Sequence, residues 1–268
     1  MTILEALPRV VPVEDEEIST ELTKAFQKKG IQVFTSCGVE SVKKDAKGVT
    51  VAFQDQDGKA QTMQAEKLLL AVGRQPMTEN CGLEKSRAKL ERGFVQVGDN
   101  METSEKGLYA IGDIVAGLPQ LAHAAMMEGI IAVTHIAGKP AHQIVKTRIP
   151  NATYCEPQIG SIGLTEKQAR DSGHEVKIGK FPFVGNSKAT ILGSHGGFIK
   201  VVSDKAYGEV LGIHIIGPLA TELLAEAATV LNLEGTIDDM MNMMHAHPTV
   251  WEALGDAFAS VRGLQINV

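Results

Sequence analysis

Apolar residues at Ile18, Leu22 and Phe26 recur every four positions, the spacing of one face of a helix. An acidic run at 14–17 opens that segment and Gly30 closes it, as the two ends of a helix prefer. TILEAL from Thr2 and IQVF at 31–34 flank it as short apolar runs. Two strands around one helix make a βαβ unit, which predicts a parallel pair. No glycine-rich turn precedes that unit, although a dinucleotide-binding fold normally offers one. Between 38 and 72 the pattern shortens to VESVKK, VTVAF and KLLLAVG, all predicted strands, with a hairpin turn at Asp57-Gly58. GLYAIGD at 107–113 predicts another strand, followed by an apolar-faced helix over about 121–137 that Lys139-Pro140 interrupts. The texture changes near 148. IGSIGL, KIGKFPF, GFIKVV and GEVLGIHII read as strands, alternating with helices near 166–172, 221–231 and 250–261. That mixture predicts an α+β domain after an α/β first part, without internal repeats or low-complexity tracts.

Composition narrows the function classes without choosing one. The chain has 268 residues, 44% hydrophobic and 22% charged, an ordinary balance for a globular protein. A formal charge of −6 with no basic run argues against a nucleic-acid surface. No apolar stretch reaches the length of a membrane span, and MTILEALPRVV lacks the pattern of a signal peptide, so a cytoplasmic protein is expected. Cys37, Cys81 and Cys155 lie too far apart for a zinc site or a disulfide framework. Three reduced thiols are expected, and no metal site.

Chemistry concentrates in HAHPTVWEALGDAF at 245–258. Pro248 suits the first turn of a helix, which sets His247 just before it and Glu252 within reach. A carboxylate bonded to one imidazole nitrogen fixes the tautomer and makes the other nitrogen a better base. The same residues also read as Thr249-x-x-Glu252, a capping box. GLYAIGD offers Asp113 at a strand end, where sugar hydroxyls could be held, and the QLAHAA helix entry could present N–H groups to an electron-rich ring. Asp113 as a plain turn cap is the alternative. Glu5 ends the first strand, the place of a ribose-binding acid in nucleotide-binding units. AVGR at 71–74 carries a glycine that permits close backbone approach.

Taken in order, these segments resemble the pyridine nucleotide–disulfide oxidoreductase family. ILEALPRVVPVEDEEIS is similar to the second strand and helix of the family's NAD domain, AVGRQP to its domain-exit motif, and TSEKGLYAIGD with LAHAAMMEG to its second flavin motif. TYCEPQIGSIGLTE, LGIHIIGP and HAHPTVWEA resemble its dimer-interface domain. The resemblance covers essentially the whole chain and implies three parts. They are a remnant of a Rossmann-like NAD-binding domain (1–75), a second FAD-binding segment (76–147) and an α+β dimerisation domain (148–268). HAHPT followed by a single acid is most similar to the dihydrolipoamide dehydrogenase subfamily; glutathione-type relatives usually carry two consecutive acids there, and Cys155, Gln158 and Trp251 depart from the usual pattern. The resemblance implies His247 as acid–base histidine oriented by Glu252 and serving the partner subunit's disulfide. It implies FAD near Asp113, Gln120, Leu121, Ala122 and His123, and NAD near Glu5, Val39 and Gly73. A homodimer and a lipoyl-bearing acyltransferase of a 2-oxo acid dehydrogenase complex are the implied partners. The first flavin motif, the NAD glycine loop and the redox cysteine pair lie upstream in that family. The chain is therefore expected to be a C-terminal portion, inactive alone yet able to dimerise. A non-catalytic assembly module and a glutathione- or mercuric-type fragment are the alternatives.

Overall fold

A computed structural model describes residues 1–267, which divide into two compact units. One unit combines residues 1–69 with 150–267, and the other spans 70–149.

The first unit opens with β1 (Thr2–Leu4), α1 (Glu16–Lys28) and β2 (Gln32–Phe34). β1 and β2 pair in parallel, the arrangement the strand–helix–strand pattern predicts. Asp15 caps α1 by accepting the Glu17 N–H, satisfying one of the four donors a helix start leaves unpaired. An antiparallel meander follows: β3 (Gly38–Asp45), β4 (Gly48–Gln54) and β5 (Ala60–Ala65). The Asp57-Gly58 turn joins β4 to β5, with Gly58 in the left-handed region at φ +75.

The second unit contains the short pair β6 (Leu90–Glu91) and β7 (Phe94–Val95), then α2 (Ala122–Ile136). Two predicted strands do not form. KLLLAVG is irregular, and Leu69, Leu70 and Val72 are exposed. A strand needs a neighbour for its N–H and C=O groups, and this run pairs with no strand among the described residues. GLYAIGD makes only a single antiparallel bridge, Glu102 to Tyr109, so its backbone closes a local bend instead of joining an open sheet.

After 150 the first unit resumes with β8 (Asn151–Thr153), β9 (Gln158–Gly163), α3 (Glu166–Asp171), β10 (Val176–Pro182) and α4 (Ser187–Ile191). β11 (Phe198–Asp204), β12 (Val210–Gly217), α5 (Ala220–Asn232), α6 (Ile237–Met241) and α7 (Glu252–Ser260) complete it. The strands form one antiparallel sheet in the order β10-β11-β12-β9-β8.

Both faces of this sheet are covered, and the two-residue side-chain period assigns each residue to a face. Ile199, Val201, Ile213 and Ile215 join the core beneath α5 and α7. Phe198 and Ile216, one residue out of step, pack with Ile18 and Leu22 of α1. Each such buried aliphatic or aromatic side chain contributes about 1.5–3 kcal/mol relative to exposure. Gly160 lets α5 sit close: a Cβ there would stand 2.4 Å from the Ala220 carbonyl oxygen.

Lys200 shares the α1-facing side with Phe198, and its ammonium is buried. It lies 2.9 Å from Asp15, 2.8 Å from Glu17 and 2.8 Å from Glu166. Burial is the largest influence on Lys200 and pushes its pKa down, but the three carboxylates outweigh it and carry the group well above its ordinary value. Burial likewise raises Asp15 and Glu17, yet the cations beside them hold both below the usual carboxylate range.

Candidate active site

A loop with no regular secondary structure, 243–249, connects α6 to α7 and carries His247. The placement departs from the sequence reading in one respect: Pro248 lies outside the helix, which begins at Glu252 with Trp251 as its cap residue. Glu252 accounts for this, since its carboxylate turns back on the loop that precedes α7. Oε1 takes the His247 Nδ1 at 2.9 Å. Oε2 accepts the Thr249 N–H at 2.8 Å. Half of the expected capping box therefore forms. The Thr249 hydroxyl donates to the Ala246 carbonyl instead of accepting from the helix. One carboxylate thus contacts both the imidazole and the Thr249 N–H.

Burial is the largest influence on Glu252 and raises it, but the Thr249 N–H, the His247 bond and the charges of His247 and His245 hold it below the ordinary value. An ionised carboxylate only accepts. Nδ1 must then carry the proton of a neutral His247, leaving the Nε2 lone pair outward on a side chain 71% exposed. That is the tautomer a general base requires.

In the second unit, Asp113 accepts from Arg74 at 2.8 Å, and Arg74 also donates to the Gln120 carbonyl at 2.6 Å. Gln120 returns a bond to the Asp113 carbonyl at 3.1 Å. The structure therefore brings Asp113 and Gln120 together, beside the Leu121-Ala122-His123 entry to α2, which no side chain caps. Arg74, the last letter of AVGR, carries no signal in the sequence that pairs it with Asp113, 39 residues on. Glu128 was missed too. Its Oε2 accepts the Gly112 N–H at 2.6 Å and its Oε1, although buried, has no partner among the described residues. Burial, and secondarily the Asp113 charge, raises its pKa.

Glu5 stands just past β1, where Oε1 accepts the Leu7 N–H at 2.8 Å. Val39 is exposed on β3. Gly73 has φ +119, and no atom lies within 4 Å of where its Cβ would be. Glu5 and Val39 belong to the first unit and Gly73 to the second. All three cysteines are free, and burial raises the pKa of Cys37 and Cys155, which disfavours the nucleophilic thiolate. No metal-ligating cluster and no helix long and apolar enough to cross a membrane occurs among the described residues.

Comparison with known proteins agrees along the chain. A family model described as pyridine nucleotide-disulphide oxidoreductase matches residues 1–129, and the dimerisation domain of that family matches 149–258. Curated dihydrolipoyl dehydrogenases from Rhizobium etli and Mycobacterium tuberculosis are 41% and 42% identical over the whole of this chain. The chain spans 56% and 58% of their respective lengths. The crystal structure of LpdA from Mycobacterium tuberculosis superposes with a TM-score of 0.85 at 25% identity, covering 96% of this chain and 55% of that one. The HOCl-induced flavoprotein disulfide reductase RclA from Escherichia coli gives a TM-score of 0.86 at 23% identity over 96% of this chain and 58% of its own, a likeness of fold.

Proposed function

The chain belongs to the pyridine nucleotide-disulphide oxidoreductase family, and on that premise we propose that its residues serve a dihydrolipoyl dehydrogenase. The reaction is oxidation of protein-bound dihydrolipoamide to lipoamide, with two electrons passing through a disulfide and FAD to NAD⁺. The observation that carries this reading is the His247–Glu252 couple, with its 2.9 Å contact and outward Nε2.

His247 Nε2 takes a proton from one thiol of the substrate, and the resulting thiolate attacks the redox disulfide. Glu252 stabilises the imidazolium that forms. Cys37, Cys81 and Cys155 do not supply that disulfide, being free and widely separated in sequence. The residues of the second unit fit one side of a flavin: a half-exposed Asp113 carboxylate for hydroxyl groups, an uncapped α2 entry and the orphaned buried Oε1 of Glu128. Asp113, Gln120, Leu121, Ala122 and His123 would hold it. FAD, when bound, carries the electron pair between the disulfide and NAD⁺. Glu5, Val39 and Gly73 are assigned to the nucleotide. Residues 1–75, 76–147 and 148–268 act as nucleotide, flavin and dimerisation segments. Cytoplasmic homodimers working on a lipoyl-bearing acyltransferase complete the proposal.

The test joins this chain to the N-terminal portion of a dihydrolipoyl dehydrogenase and follows NAD⁺ reduction with dihydrolipoamide or glutathione. Dihydrolipoamide is expected to be the electron donor, and His247→Gln to lower kcat by roughly 10²–10⁴-fold. Undiminished turnover in His247→Gln, or preference for glutathione, would refute the reading.

A further inference from the structure

A second histidine two residues upstream is built into the same loop, and the acid–base reading of His247 gives it no task. His245 also meets a carboxylate, but through the other nitrogen and out of solvent. Its side chain is only 10% exposed and its Nε2 lies 3.0 Å from Glu226 Oε1, itself 12% exposed, on α5. The Nδ1–Cε1 edge of the ring rests on α7 at Gly255, where an added Cβ would stand 3.1 Å from Nδ1 and 3.4 Å from Cε1. Ring and helix therefore meet at a residue with no side chain, although glycine in a helix interior costs about 1 kcal/mol relative to alanine.

We propose that His245 is a positioning residue: by tying the 243–249 loop to α5 through Glu226 and to α7 at Gly255, it holds the His247 imidazole in register with Glu252. This rests on the acid–base reading of His247. The loop's C-terminal flank has its own anchors, since Thr249 is held by Glu252 and its carbonyl accepts from Asn186 at 3.1 Å. His245 supplies the side-chain anchor on the N-terminal flank. With one flank released, the exposed His247 ring gains freedom that a single hydrogen bond to Glu252 must restrain.

The charged groups facing His245 are Glu226 from α5 and Glu252 from α7. The Glu226 hydrogen bond, outweighing burial, raises the pKa of His245, so the anchor is an ion pair over a wider pH range than a free histidine would give.

The experiment reads tautomers, not turnover. Imidazole ¹⁵N spectra of the chain report the Nδ1–H to Nε2–H ratio of neutral His247, assigned by its loss in His247→Gln. The wild-type ratio is expected to favour Nδ1–H. His245→Gln and Gly255→Ala should lower it about fivefold, the equivalent of one hydrogen bond of about 1 kcal/mol. Glu226→Gln retains an acceptor oxygen and should restore part of the ratio relative to Glu226→Ala. Should His245→Gln fail to fold, Gly255→Ala and the two Glu226 variants decide the matter. An unchanged ratio in the folded variants would overturn the proposal, even with a lowered melting temperature, and would leave the acid–base assignment of His247 to its own assay.

Discussion

Lys200→Met removes a buried ammonium from among three carboxylates, and the structure sets the size of the effect. Only the Asp15 partner is buried with it, the two side chains being 2% and 4% exposed. Glu17 and Glu166 are 43% and 29% exposed, so solvent screens their share. Removing one partner of a buried pair leaves an uncompensated charge and typically costs 3–5 kcal/mol. The low end applies here because Glu17 and Glu166 retain solvent and Asp15 still accepts the Glu17 N–H. A loss of ~3 kcal/mol is expected at pH 7, lowering Tm by roughly 6–12 °C. Denaturant titration and calorimetry from pH 7 to pH 3 would measure it. Asp15, Glu17 and Glu166 all have lowered pKa values in the fold. Their stabilisation is therefore present above the unfolded carboxylate pKa of about 4 and is lost as pH falls through the folded values. In Lys200→Met the buried Asp15 instead resists ionising, while Glu17 keeps Lys180 and Glu166 keeps Arg170, so that variant regains stability as pH drops toward 4. The two curves converge in acid. A difference below about 1 kcal/mol at pH 7, or one that widens in acid, would refute the reasoning.

Gly160→Ala should destabilise the first unit by about 1–3 kcal/mol or more, because its Cβ would meet the Ala220 carbonyl at 2.4 Å; thermal melts would show it, and an unchanged Tm would mean α5 can move away. Glu252→Gln in the joined protein should keep the Thr249 contact on one oxygen while weakening the imidazolium, lowering kcat more than it raises KM in steady-state assays. The chain by itself, with FAD and dihydrolipoamide, should not reduce NAD⁺ in a spectrophotometric assay, since none of its cysteines has a redox partner. Sedimentation should detect a dimer through residues 149–258, the segment matched by the dimerisation domain.

Local periodicity carried much of the architecture. Ile18, Leu22 and Phe26 marked α1, and the four apolar runs after 158 each became a strand of one sheet. KLLLAVG shows the limit, because apolar content draws a strand only where a neighbour pairs with it. Lys200 shows another. GFIKVV reads as a strand, and nothing nearby reveals that Asp15, 185 residues away, pairs with its lysine. At the candidate site the His247–Glu252 pair was legible because its members are five residues apart. His245 with Glu226, 19 apart, and Arg74 with Asp113, 39 apart, depend on tertiary placement that spacing does not encode.

The helix α1 packs its Ile18 and Leu22 on Ile159, Phe198 and Ile216, residues that the ribosome reaches much later. At about 5–20 residues per second, the 185 residues between Asp15 and Lys200 take roughly 10–40 s to make. Until then the emerging strand–helix–strand segment holds its apolar stripe and its acidic cap without the sheet and the ammonium that answer them. Residues 70–149, a compact unit of their own in the finished fold, are made in the interval. The waiting time, more than the final stability, is where a chaperone would find its substrate, and synonymous changes that slow translation of 70–149 would lengthen that exposure without altering a single contact in the finished fold.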